Sequence, residues 1–230
     1  MIYAAILAGG RGTRMGGDLP KQYLPIDGIP IMIHTVRKFL QCPIVDALVI
    51  CVPRDYLDYT RELLAGYPDV AGAGERVCVT EGGADRTASL ENACRFFARC
   101  KEIGEEDILI THDCVRPYVT EVMIADSVEK ARVYGGATAA VPCVDTVCVS
   151  RSGSVIDSVP NRAELFNVQT PQTFRMKDFC ELLYSLSDEE KSRVTDASAV
   201  FRLRGRTVAL SAGSPSNMKI THPGDIRSDK

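Results

Sequence analysis

Short runs of apolar residues alternate with stretches in which apolar positions recur every three or four residues. The runs IYAAILA (2–8), DALVICV (46–52), RVCVT (76–80), DILITH (107–112) and ATAAVP (137–142) predict strands. The first, second and fourth are nearly continuous in apolar residues, as strands covered on both faces require. Between them, residues 30–41 place Ile33, Val36, Phe39 and Leu40 on one side of a helix. Residues 87–100 do the same with Ala88, Leu90, Ala93, Phe96 and Phe97, and residues 120–134 run from the N-cap Thr120 to Tyr134 before two glycines. Strand–helix–strand alternation at this spacing predicts an α/β domain with a mostly parallel sheet and right-handed crossovers.

The pattern changes after Pro142. Residues 143–160 read as two short strand runs around the turn Arg151-Ser152-Gly153, which predicts a β-hairpin rather than another strand–helix unit. A hairpin inserted late in a parallel α/β chain cannot bury both faces alone, so it is expected to protrude as a flap or as an arm reaching to a partner. Helices near 175–186 and 195–204 and a strand at 207–212 close the chain. Residues 1–230 are therefore expected to form one domain with an appended arm, without repeats or linkers.

Composition narrows the classes. The chain has 230 residues, 45% hydrophobic and 25% charged, which is ordinary globular usage and excludes disorder, collagen and coiled coil as the main architecture. A net charge of −3 disfavours a nucleic-acid partner. No window approaches the roughly 20 apolar residues of a spanning helix, and the N-terminus lacks the features of a signal peptide, so no membrane association and a cytoplasmic location are expected. The nine cysteines show no Cys-x-x-Cys spacing; they are read as small buried hydrophobes in a reducing compartment.

The candidate chemistry begins in the first loop, Ala8-Gly9-Gly10-Arg11-Gly12-Thr13-Arg14-Met15-Gly16, followed by Leu19-Pro20-Lys21-Gln22. Glycines after a buried strand let backbone N–H groups cradle phosphate oxygens. Arg11, Arg14 and Lys21 add three cations, which suits a triphosphate. Two familiar phosphate loops fail on spacing: there is no Gly-Lys-Ser/Thr, and Gly10-x-Gly12-x-x-x-Gly16 is one residue longer than the dinucleotide fingerprint. Asp113 is predicted at the C-terminal end of the strand DILITH, where open α/β sheets place ligands; a lone carboxylate there can hold Mg²⁺ against phosphate oxygens.

This loop resembles the signature of nucleotidyltransferases. Four further segments narrow the likeness: Gly82-Gly83-Ala84-Asp85-Arg86 with Ser89, His112-Asp113-Cys114-Val115-Arg116-Pro117, Gln169-Thr170-Pro171-Gln172, and Asn217-Met218-Lys219-Ile220-Thr221. Together they resemble the alditol-phosphate cytidylyltransferases over residues 2 to 226. The resemblance implies a Rossmann-like nucleotidyltransferase domain that transfers CMP from CTP to an alditol phosphate with release of pyrophosphate. It implies catalytic cations at Arg14, Lys21 and Lys219. It assigns nucleotide binding to Ala8, Gly9, Gly10, Gly12, Thr13, Gly82, Gly83, Arg86, Ser89 and Arg116, and Mg²⁺ to Asp113. Acceptor contacts are implied at Asp145, Thr146, Arg162, Thr170 and Thr195, and the arm is implied to embrace a second subunit in a homodimer.

Leu7-Ala8-Gly9-Gly10, Leu19 and Asn92 resemble the ribitol branch of the family, so ribitol 5-phosphate is the expected acceptor and methylerythritol 4-phosphate the alternative. The loop pattern also serves sugar-1-phosphate and molybdopterin nucleotidyltransferases, which lack the His-Asp-x-x-Arg-Pro and Thr-Pro-Gln segments in this arrangement. A nucleotide-binding module without catalysis would need neither Lys219 nor Asp113.

Overall fold

A computed structural model describes residues 1–10 and 19–225. A seven-stranded sheet runs through it in the order β5-β4-β1-β6-β8-β7-β9. The strands are β1 (Ile2–Leu7), β4 (Ala47–Val52), β5 (Val77–Glu81), β6 (Ile108–Asp113), β7 (Gly136–Pro142), β8 (Phe166–Arg175) and β9 (Ala209–Ala212). Only β8 runs against its neighbours β6 and β7; the other pairings are parallel. A separate two-strand ribbon, β2 (Pro25–Ile26) and β3 (Ile29–Pro30), turns at Asp27-Gly28, where both residues have positive φ. Asp-Gly is the dipeptide such a turn favours.

The continuous apolar strands are covered on both faces, as their pattern predicts. Ile2, Ala4 and Ile6 of β1, Leu48, Ile50 and Val52 of β4, and Ile108 and Ile110 of β6 face one core. That core is completed by helix α1 (Ile31–Gln41), with Met32, Val36 and Phe39, and by α5 (Glu121–Tyr134), with Met123, Ile124 and Val128. Helices α2 (Leu57–Ala65) and α3 (Pro68–Ala71) add Leu64 and Val70. The alternate residues Tyr3, Ala5, Val49, Cys51 and Leu109 face the other core. There they meet α4 (Arg86–Cys100), α6 (Met176–Tyr184) and α8 (Ala197–Leu203); the short α7 (Asp188–Arg193) carries no buried residue. Each large side chain so buried contributes about 1.5–3 kcal/mol.

The expected elements appear with their ends moved by a residue or two, while the ribbon β2–β3, the short helices α3 and α7, and two longer elements were not expected. β8 spans the Gln169–Gln172 motif, and α2 fills the stretch after β4. The arm departs from expectation in regularity. It connects β7 to β8 and holds only one antiparallel bridge, Val149 with Ser158, beside a turn with Gly153 at φ 73°. Every residue from 144 to 159 is exposed. A two-stranded ribbon with nothing packed on it has too little burial to hold a regular ladder.

Candidate active site

Strand order fixes where a ligand can enter. From β1 the chain moves outward to β4 and β5, then returns to place β6 on the opposite side of β1. The crevice beyond the C-terminal ends of β1 and β6 is thus a topological switch point, the usual ligand position of an open α/β sheet. A cleft of about 810 Å³ opens there. Its lining includes Ala8, Gly9 and Gly10 after β1, Pro53-Arg54-Asp55 after β4, Gly82 to Arg86 after β5, Asp113 at the end of β6, and Lys21, Ser89, Lys219 and Thr221.

Asp113 is the electrostatic centre. Its carboxylate receives Arg86 at 2.5 Å, Lys219 at 3.0 Å and Arg116 at 3.5 Å. Burial alone would raise this carboxyl, but Arg86, Lys219 and Arg116 overcome it and hold the group well below the usual carboxylate range. Three cations surround this one carboxylate, and Lys21 lines the same cleft, while the other carboxylates of the lining, Asp55, Glu81 and Asp85, come from the loops after β4 and β5. Such a site attracts a polyanion. Lys21 donates to the Ile220 carbonyl at 3.1 Å, which ties the first loop's lysine to the segment that carries Lys219.

A buried network stands behind Asp113. Its N–H donates to Thr170 Oγ1 at 3.1 Å, Thr170 Oγ1 lies 3.0 Å from His112 Nδ1, and His112 Nε2 lies 3.1 Å from the Arg116 carbonyl. A carbonyl only accepts, so Nε2 carries the hydrogen, and Nδ1 accepts from Thr170. The imidazole is kept neutral: burial pushes its pKa from 6.5 down to about 4. Arg116 closes the circuit by donating to the Asn217 carbonyl at 2.8 Å.

The Gly82-Gly83 loop is equally tight. Ser89 Oγ accepts from the Gly83 N–H at 2.9 Å and donates to the Asp85 carbonyl at 2.8 Å. Asp85 caps α4 by accepting from the Ala88 N–H. Gly83 comes so close to Ala88 that any Cβ would overlap that side chain; glycine is required by proximity here. Ser89 therefore builds the loop that faces the cleft, and its hydroxyl hydrogen is committed to Asp85.

The structure brings Ala8, Gly9, Gly10, Lys21, Gly82, Gly83, Arg86, Ser89, Asp113 and Lys219 to one cleft. Arg14, Gly12 and Thr13 lie outside the described residues. Arg116 and Thr170 stand behind the cleft in the network just described. Asp145, Thr146 and Arg162 are exposed on the arm, where Arg162 donates to the Val144 carbonyl at 3.0 Å, and Thr195 is exposed just before α8. None of these four lines the cleft. Sequence reasoning gave no role to Gln22, whose buried amide donates to the Ala8 carbonyl at 2.7 Å and braces the glycine loop. It also passed over Arg54 and Asp55, although the strand-end rule that picked Asp113 applies equally to the end of β4.

For Mg²⁺ the donor set has one carboxylate. Among the described residues no three His, Cys, Asp or Glu side chains cluster as a metal cage. Mg²⁺ is commonly held by one or two carboxylates with substrate phosphates and water supplying the rest, so the residues present fit an ion that arrives with a triphosphate. The nine cysteines are free thiols, and no described helix is long and apolar enough to cross a membrane.

Comparison with known proteins agrees with this architecture. Residues 2–229 match the family model described as IspD, 2-C-methyl-D-erythritol 4-phosphate cytidylyltransferase. Ribitol-5-phosphate cytidylyltransferase of Streptococcus pneumoniae strain Spain 23F-1 is 44% identical over 228 residues, covering 99% of this chain and 96% of that protein. The same holds for its counterpart in strain D39. Among solved structures, 4-diphosphocytidyl-2C-methyl-D-erythritol synthase of Anaerococcus prevotii superposes with a TM-score of 0.81 at 26% identity, covering 98% of this chain and 92% of that one. The Francisella tularensis 2-C-methyl-D-erythritol 4-phosphate cytidylyltransferase does so with a TM-score of 0.79 at 25% identity, over 98% and 96%. With nearly its whole length matched, the chain belongs to the 2-C-methyl-D-erythritol 4-phosphate cytidylyltransferase family.

Proposed function

We propose that the protein transfers CMP from CTP to D-ribitol 5-phosphate, giving CDP-ribitol and pyrophosphate. The observation that carries the chemistry is the convergence of Lys21, Lys219, Arg86 and Asp113 in one cleft at the switch point. The acceptor choice is supported by the 44% identity to ribitol-5-phosphate cytidylyltransferases over nearly the full length. In this reading an acceptor phosphate oxygen forms a bond to the α-phosphorus of CTP while the bond from that phosphorus to the bridging oxygen of pyrophosphate breaks. No protein nucleophile is needed; the reaction asks for alignment and for positive charge where negative charge grows. Lys21 and Lys219, with Arg14 of the first loop, supply that charge to the α-phosphate and the leaving group. The glycine loop offers backbone N–H groups to the triphosphate, and the Gly82-Gly83 loop with Arg86 faces the nucleoside. Asp113 would be the protein carboxylate that holds Mg²⁺, which would supply charge neutralisation to the phosphates.

Asp145, Thr146 and Arg162 are exposed and do not line the cleft of their own chain. We assign them to the acceptor in the cleft of a second subunit, with the exposed valines of the arm as the dimer contact. Arg162 offers the planar fork that suits a phosphate dianion. Thr170 and Thr195 belong to the same acceptor reading, with Thr170 acting from the network beneath Asp113. A cytoplasmic location suits nine free thiols.

Methylerythritol 4-phosphate is the second acceptor, favoured by the family model and by the solved structures of similar fold. The experiment is pyrophosphate release by purified protein with CTP and each alditol phosphate in turn. Ribitol 5-phosphate is expected to give the higher kcat/KM; equal release from CTP, ATP and GTP would sink the base assignment, and full activity in excess chelator would sink the metal.

A further inference from the structure

We infer that Asn217 and Gln169 form a side-chain amide clamp that positions Lys219 for the transfer, an inference that rests on the reading of Lys219 as a catalytic cation. Lys219 lies between β9 and the C-terminal turn at Pro223–Asp225, in a segment with neither helix nor strand. Nothing regular fixes its backbone, and a lysine adds four rotatable bonds. Yet its ammonium must meet developing charge in one place. On its C-terminal side the segment is held by the buried Ile220, whose N–H donates to the Val115 carbonyl at 2.9 Å; on its N-terminal side it is fastened by neutral amides.

Gln169 donates from Nε2 to the Ser214 carbonyl at 2.9 Å and accepts the Ser214 N–H on Oε1 at 3.2 Å. That double contact with one backbone unit sets which end of the amide is which. The same Oε1 accepts from Asn217 Nδ2 at 3.2 Å, and Nδ2 also donates to the Thr170 carbonyl at 2.8 Å. Asn217 is fully buried. Both of its amide partners are acceptors, so only an amino group fits there.

Gln169 and Thr170 are neighbours on β8. Thr170 also takes the Asp113 N–H on its hydroxyl, and Lys219 is paired with Asp113 at 3.0 Å. The two members of this ion pair thus hang from adjacent residues of one strand, Asp113 through the Thr170 hydroxyl and Lys219 through the Gln169 and Thr170 contacts of Asn217. Arg116 locks the arrangement by donating to the Asn217 carbonyl. Truncating the Asn217 side chain removes no charge and keeps the backbone carbonyl that Arg116 uses, so it slackens the segment that carries Lys219.

The test is a double-mutant cycle on kcat, with CTP KM and thermal unfolding measured alongside. Asn217→Ala is expected to lower kcat about 10–100-fold, the scale of a misplacement near 1 Å, with the CTP KM close to wild type. In a Lys219→Ala background the same change should cost nothing further, because Asn217 acts through a lysine that is gone. Asn217→Asp, which turns an oxygen toward two acceptors, should match or exceed the alanine effect. Where the alanine variant does not fold, Asn217→Ser carries the same comparison. An equal kcat loss in both backgrounds, or an unchanged kcat with Lys219 intact, overturns the clamp. A Lys219→Ala enzyme that keeps its kcat overturns instead the reading of Lys219 itself.

Discussion

The stretch of chain from the arm through β8 is built on opposite terms at its two ends. At the β8 end it buries Gln169, Thr170, Gln172 and Thr173, polar residues each with a partner. Gln172 reaches Thr138, Ser198 and the Ala197 N–H, and Thr173 meets Ser127 at 2.8 Å. At the arm end, beyond Pro142 and Phe166 and on the same side of the sheet as Asp113, the chain runs out where Val144 is 79% and Ile156 67% exposed. One end has its polar groups inside and satisfied; the other has apolar groups outside and uncovered. A buried polar group must be paired or it costs about 1–3 kcal/mol, so the β8 end holds one geometry, which chemistry on a phosphate needs. An exposed apolar strip gains nothing from its own chain, which suits the proposed docking of the arm on a second subunit.

The largest effects expected fall in the cleft. Replacing Lys21 or Lys219 with alanine should lower kcat about 10²–10³-fold, the usual loss for one charge-stabilising donor, and should leave dimerisation untouched. Steady-state kinetics with sedimentation checks this; a variant that raises KM with kcat intact would mean that the lysine binds ground and transition states alike.

Next comes the arm. Deleting residues 145–158 and bridging the ends with glycines should convert a dimer to a monomer that still binds CTP but loses acceptor turnover. If the shortened protein still sediments as a dimer, the arm is not the contact. In the intact dimer, mixing inactive Lys21→Ala with inactive Arg162→Ala subunits should partly restore activity, since one cleft per mixed dimer would hold both residues. No recovery after verified subunit exchange would place Arg162 in its own chain's cleft and erase the contrast between the two ends.

Legibility in the sequence divides along the same line. β1, β4 and β6 were readable because a strand covered on both faces is apolar throughout. β8 was not, although its centre is as deeply buried. Gln169-Thr170-Pro171-Gln172 looks like a loop, and a proline argues against a central strand. Pro171 is accommodated because the β7–β8 register breaks between Thr138 and Ala140, opposite it, where no ladder N–H is asked of it. The charged members of the site, Lys21, Asp113 and Lys219, stood out by residue type, position and resemblance. Asn217, Gln169 and Gln22 stand inside the segments that carry the resemblance, but they are uncharged and their partners lie 14 to 48 residues away, so no local pattern shows what they brace. The arm was legible as an interruption, but its regularity was overestimated, because alternation of valines signals a strand only where something packs on one face.

A smaller effect separates the two ends by stability alone. Gly83→Ala should destabilise the protein by about 1–3 kcal/mol, because the new methyl overlaps Ala88 and the loop must shift. Val147→Ser on the arm should leave monomer unfolding unchanged and weaken only dimerisation. Chemical unfolding at fixed low concentration distinguishes the two, and an equal loss from both variants would mean that the arm packs on its own chain.

The last effect is in the pH dependence, and its sign follows from His112. The imidazole titrates near 6.5 when free and near 4 when folded, because burial disfavours its charged form. Between those values the unfolded chain binds a proton that the folded chain refuses. Stability must then fall as pH falls through that window, by up to about 1.4 kcal/mol per pH unit for this one group. Asp113, held well below the ordinary carboxylate range by its cations, keeps its charge in the folded chain and adds to the same decline only below about pH 5, where the unfolded carboxyl begins to take up a proton. His112→Gln removes the titration while leaving an amide to face Thr170 and the Arg116 carbonyl. It is expected to lower stability at pH 7, where the imidazole fits best, and to flatten the decline between pH 6.5 and 4.5. Val147→Ser should keep the wild-type slope. A His112→Gln protein with the same slope as wild type would move the acid sensitivity away from the network under Asp113.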